Sequence, residues 1–179
     1  MSVRRQWASL LTVAVLMYGC HASRRHNIPA KVPFIAFESD FTNFESWQCV
    51  DSAPHMKRAK NHGSGKTHEY LNQAPSKGTK EFPPGTIFVK TMEDGVNGNK
   101  IFAMAKRGGG YNPDGATEWE WFELSRRRDG SFAIVWRGVD APGDHAYAAD
   151  LKGAGCNSCH RGALRYDFVH ATGFVVPRF

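Results

Sequence analysis

The sequence predicts an α+β fold, mainly an antiparallel β-sheet with a few short helices, on three observations. Four runs of alternating apolar and polar residues lie between 86 and 137, separated by turn signals. The chain holds 18 Gly and 9 Pro, too many breakers for a bundle of long helices. Behind the strands comes Cys156-Asn157-Ser158-Cys159-His160, so the C-terminal segment that carries this run is expected to pack against the sheet.

In chain order, Arg4 and Arg5 precede an apolar run over residues 8–17, and Gly19-Cys20 follows. The run is too short to span a bilayer and has the design of a secretory signal over 1–20. Cys20 is a candidate for lipidation, which would tether the chain to a membrane surface; Met17 and Tyr18 are unusual before a lipid-bearing cysteine, and simple cleavage is the alternative. The expected address is periplasmic or membrane-anchored, outside the cytoplasm. Residues 21–32 are polar and basic and read as a flexible tether, with the folded domain spanning 33–179.

A short helix is predicted over 42–49, because Thr42 and Glu45 have capping-box form and Phe41, Phe44 and Trp47 share a helical face. Residues 51–66 read as an exposed loop; His55, His62 and His68 lack regular spacing and suit solvated side chains better than metal ligands. Strands follow at 86–92, 100–106, 118–124 and 131–137. Turns at 93–99 and 129–130 and a Gly- and Pro-rich loop at 108–115 separate them.

Charge excludes one class of partner. The formal net charge is +6, with 23 Lys and Arg against 17 Asp and Glu; without Arg4 and Arg5 the excess falls to 21 against 17. No basic stripe alternates with aromatics, so nucleic acid is not expected as a partner. The triplet Arg126-Arg127-Arg128 reads as a solvated turn rather than a patch steering an acidic partner.

The Cys-x-x-Cys-His run is the attachment pattern of a c-type haem. Two thiols at that spacing add across the two vinyl groups of the porphyrin, and the adjoining imidazole binds the iron. One covalent haem c is therefore expected, held by Cys156 and Cys159 with His160 as the metal ligand. Gly153, Gly155 and Gly162 would let the backbone approach the ring. Structural zinc needs four ligands, usually two separated pairs, and no second Cys-x-x-Cys exists; zinc and a redox disulfide remain the alternatives. Cys49 is left over, either a buried free thiol or a disulfide partner for an unlipidated Cys20.

The late motif excludes two common plans. Small helical electron-transfer cytochromes carry it near the N-terminus with a Met ligand downstream, yet the last Met here is Met104. The four-helix cytochromes c′ carry it late but lack alternating strands.

A late haem motif behind an antiparallel sheet resembles the cytochrome P-460 family and its relative cytochrome c′-beta. The resemblance runs from about Thr67 to Phe168. It is clearest at 68–72 (His-Glu-Tyr-Leu-Asn), at 81–90 (Glu-Phe-Pro-Pro-Gly-Thr-Ile-Phe-Val-Lys), and at 155–160 with 167–169. It implies a five-coordinate haem with an open distal face in a homodimer, taking a small nitrogen ligand or substrate, and a redox-partner cytochrome where hydroxylamine is oxidised. It also implies that Lys90 is joined to the porphyrin rim. From the residues alone, a Lys inside a strand most often faces water; against that, Phe88, Lys90 and Met92 share a face, which would set Lys90 among apolar neighbours where its amine would be a better nucleophile. Hydroxylamine-oxidising members place a carboxylate over the iron; the candidates are Asp114, Glu118 and Glu120, though loop polarity and solvent-facing strand positions also account for them. Members without it cap the iron with Phe, for which Phe88 and Phe102 are candidates. Beside hydroxylamine oxidation and nitric oxide binding stands a third expectation, a six-coordinate periplasmic electron carrier with His145, His170 or Met104 as second ligand.

Overall fold

The computed structural model describes residues 32–51, 66–93, 99–142 and 155–170. The expected signal segment, the tether, most of the 51–66 loop with His55 and His62, and His145 lie outside the described residues. Among the described residues no helix is long and apolar enough to cross a membrane.

Six strands form one antiparallel sheet in sequence order: β1 Gln48–Asp51, β2 Thr67–Leu71, β3 Ile87–Met92, β4 Lys100–Lys106, β5 Trp119–Arg126 and β6 Phe132–Gly138. The last four follow the expected strands to within one or two residues. β1 and β2 extend the sheet beyond them, β1 using residues expected to end a helix.

That helix over 42–49 does not form. Two 3₁₀ turns, Glu38–Phe41 and Phe44–Ser46, stand there, followed directly by β1. The Thr42 and Ser46 hydroxyls donate to the carbonyls of Ser39 and Asn43, three residues back. The three-residue spacing of Phe41 and Phe44 suits the three-residue 3₁₀ turn, and both rings are fully buried.

Both faces of the sheet are covered. One carries Ile87, Val89, Ile101, Ala103, Ala105, Phe122, Leu124 and Phe132, and the N-terminal segment lays Ala36, Phe41 and Phe44 on it. Burying each Phe contributes roughly 2–3 kcal/mol. Arg126 pairs with Glu45, and Arg127 with Glu38 at 2.8 Å, so these two arginines clamp the N-terminal turns to the β5–β6 hairpin rather than merely facing water. Both pairs are exposed and each contributes little to stability.

The opposite face carries Leu71, Phe88, Met104, Trp121 and Trp136, with Phe168, Val169 and Cys156 of the C-terminal segment against it. Two rows cross it. Leu71, Phe88, Met104 and Trp121 are successive cross-strand partners. So are Val50, Glu69, Lys90, Phe102, Glu123 and Trp136.

A buried ion pair fastens the C-terminal segment. Lys106 Nζ lies 2.7 Å from Asp167 Oδ1, and Asp167 Oδ2 accepts from the Phe82 N–H at 2.8 Å. Burial is the largest influence on Asp167 and raises its pKa against Lys106. The Trp119 indole N–H favours the charged carboxylate of Asp167.

Candidate functional site

Cys156–His160 forms a single helical turn, α1, continued as a 3₁₀ turn over Arg161–Tyr166. Asn157 anchors it. Its Oδ1 accepts from Asn112 Nδ2 (2.7 Å), the Ala116 N–H (3.1 Å) and Trp121 Nε1 (2.9 Å). Its Nδ2 donates to Asn112 Oδ1 (3.2 Å) and to the Val139 carbonyl (3.0 Å). The second position of the motif thus joins the β4–β5 loop, β5 and the end of β6.

Gly115 permits that joint. A Cβ there would stand 2.3 Å from Asn112 Oδ1 and 2.4 Å from Asn157 Cγ. At Gly155 and Gly162 a Cβ would meet only ordinary protein contacts. Gly153 lies outside the described residues.

His160 is held on two sides. Its Nδ1 lies 2.6 Å from the Phe168 carbonyl oxygen. A carbonyl only accepts, so Nδ1 carries the proton and Nε2 the lone pair. The imidazole packs on the Trp121 indole with ring centroids 4.5 Å apart. Fixing the tautomer through the second nitrogen is how metal-binding histidines are oriented.

The two thiols differ. Cys159 is exposed, whereas Cys156 is half-buried and burial pushes its thiol up to about 12. Cys49 is exposed on edge strand β1, which corrects the buried-thiol expectation.

Lys90 lies on the same face of the sheet as α1. Its amine is 3.6 Å from Glu69 Oε1, and both side chains are largely buried. Burial lowers the amine below the ordinary lysine value. Glu69 pulls the other way. The alternation thus placed Lys90 correctly, but its carboxylate neighbour was not foreseen.

The three carboxylate candidates are scattered. Asp114 is exposed in the β4–β5 loop, where its carbonyl accepts from Arg161. Glu118, at φ 70°, holds Lys106 Nζ at 3.4 Å. Glu120 turns to the opposite face: it pairs in register with Ala105 and is gripped by Arg137 at 2.8 and 2.7 Å. The carboxylates that share the α1 face with Lys90 are Glu69 and Glu123, the latter accepting from Trp136 Nε1 at 2.9 Å.

Phe88 is core, packed edge-on to Phe82. Phe102 is half-buried beside Lys90 in the same row. Met104 is buried in the row of Phe88 and Trp121. His170 stands against the His160 ring at 5.2 Å, with its Nε2 donating to the Cys159 carbonyl at 3.0 Å.

Among the described residues no group of three His, Cys, Asp or Glu side chains converges as a site for a bare metal ion. A haem brings four of its iron's ligands itself and asks the chain for one imidazole and two thiols. Cys156, Cys159 and an oriented His160 fit that demand. No protein family, curated protein or solved structure matches the chain.

Proposed function

We propose that the chain is an exported mono-haem c-type protein of the cytochrome P-460 kind, with haem c joined to Cys156 and Cys159 and bound through His160 Nε2. The observation that carries this reading is the 2.6 Å contact from His160 Nδ1 to the Phe168 carbonyl, inside a Cys-x-x-Cys-His turn packed on a sheet. The segment 4–20 supports export. A haem held by Cys156, Cys159 and His160 would supply a redox-active iron able to take a small ligand such as hydroxylamine or nitric oxide.

The chain's own residues do the rest. Phe168 fixes the imidazole tautomer, and Trp121 lies against the ring. Lys90, on the sheet face against which the Cys156–His160 turn packs, is suited to the rim linkage that the family resemblance implies. In hydroxylamine oxidation a carboxylate must take protons. Glu69 and Glu123 meet that need better than Asp114 or Glu118, because they flank Lys90 and Phe102 on the α1 face.

The test is optical. The full chain, produced with haem-attachment machinery, is exposed separately to nitric oxide and hydroxylamine. Reduction of the haem by hydroxylamine, diminished in Glu69→Gln or Glu123→Gln, supports turnover. Spectral change with nitric oxide alone supports a binding protein. Indifference to both contradicts an open site and leaves an electron carrier.

A further inference from the structure

We propose that Asn157 and Trp121 are positioning residues for the His160 imidazole; the inference deepens the haem reading and rests on it. Asn157 and His160 stand three residues apart on α1 and so share a face of that turn. Both address Trp121: the Asn157 Oδ1 accepts its Nε1–H at 2.9 Å, and the imidazole packs against the indole at 4.5 Å. The helix that presents His160 therefore also holds the surface on which His160 rests.

The Phe168 carbonyl alone does not fix the ring. A hydrogen bond to Nδ1 fixes the tautomer but restrains the ring plane only loosely, because the histidine χ2 torsion is broad. The tilted contact with the Trp121 indole at 4.5 Å, together with the His170 ring at 5.2 Å, narrows that range. Trp121 is itself immobilised, 3% exposed in the sheet, and its single N–H is committed to Asn157. The Asn157 amide is in turn fixed by four further hydrogen bonds. Orientation thus passes from the β4–β5 loop through Asn157 and Trp121 to the ligand ring. The absence of a Cβ at Gly115 is the backbone condition for it.

The test uses the parent chain, Trp121→Phe, Asn157→Ala and the double variant, each full length. In haem-free protein the readout is water exchange of the His160 Nδ1–H by nitrogen-15 NMR. Losing restraint equivalent to one hydrogen bond speeds exchange about fivefold in each single variant. Because both act through one link, the double variant exchanges no faster than the quicker single one. In haem-loaded protein the ferric electron-paramagnetic-resonance signal splits into more than one imidazole orientation. Trp121→Phe keeps an aromatic ring in the core and decides the matter if Asn157→Ala does not fold. Parent-like exchange and one unchanged signal in Trp121→Phe overturn the proposal, as does multiplicative acceleration in the double variant. If the parent takes up no haem, the functional reading fails, while the exchange measurement still decides this one.

Discussion

Lys90 and Glu69 face each other across β2 and β3, amine to carboxylate at 3.6 Å, on the side of the sheet that receives the Cys156–His160 turn. An inward-facing ion pair there carries a desolvation penalty, which the attraction between its partners must offset. Burial lowers the Lys90 pKa while Glu69 opposes the shift.

The sign is testable in the haem-free chain. Because the folded pKa lies below the unfolded one, folding favours the neutral amine. That stability is present above the unfolded lysine pKa and is lost as pH falls through the folded value. Reductive methylation read by peptide mass spectrometry should modify Lys90 at lower pH than an ordinary lysine. Glu69→Gln should move its profile lower still, and a profile moving upward would contradict the pairing.

The thiols should separate by reactivity. With its pKa pushed to about 12, Cys156 holds about one part in ten thousand as thiolate at pH 8. Iodoacetamide at that pH should label Cys159 and Cys49 while Cys156 lags far behind. Equal labelling of the two motif cysteines would show that α1 is not seated on the sheet in the haem-free chain.

Asp167→Asn should destabilise the fold by about 3 kcal/mol, because the buried Lys106 charge loses its 2.7 Å carboxylate and keeps the 3.4 Å contact to Glu118 and the Trp119 ring at 5.3 Å. Asn tolerates the left-handed φ of 53° at this position, so the change isolates the charge. Urea unfolding measures it. The double variant Lys106→Met, Asp167→Asn should recover most of the loss.

Gly115→Ala should cost about 1–3 kcal/mol by driving a methyl group into the Asn112–Asn157 amide pair. The same variant should lower haem loading, read by pyridine haemochrome absorbance per chain. Unchanged loading and stability would mean that the joint is dispensable.

The last four strands were legible because alternation between turn signals is a local pattern. β2 carries no clear strand signal, since inward-facing Glu69 breaks the apolar period that marks a buried face. Phe41 and Phe44 fit either an α-helix or a 3₁₀ turn, and only packing decides. Glu120 shows the limit most clearly: with both faces covered, period two does not separate a solvent-facing carboxylate from one buried with Arg137. Asn157 carried no signal at all, because a variable position in a motif gains its meaning from distant Asn112 and Trp121.

The central claim is covalent haem at the motif, and peptide mass mapping of the chain produced with haem-attachment machinery tests it most directly. The account predicts the peptide containing Cys156, Cys159 and His160 with the added mass of one haem, and the Lys90 peptide travelling with it if the rim linkage forms. Both thiols recovered unmodified, with zinc and no iron in the protein, would contradict it.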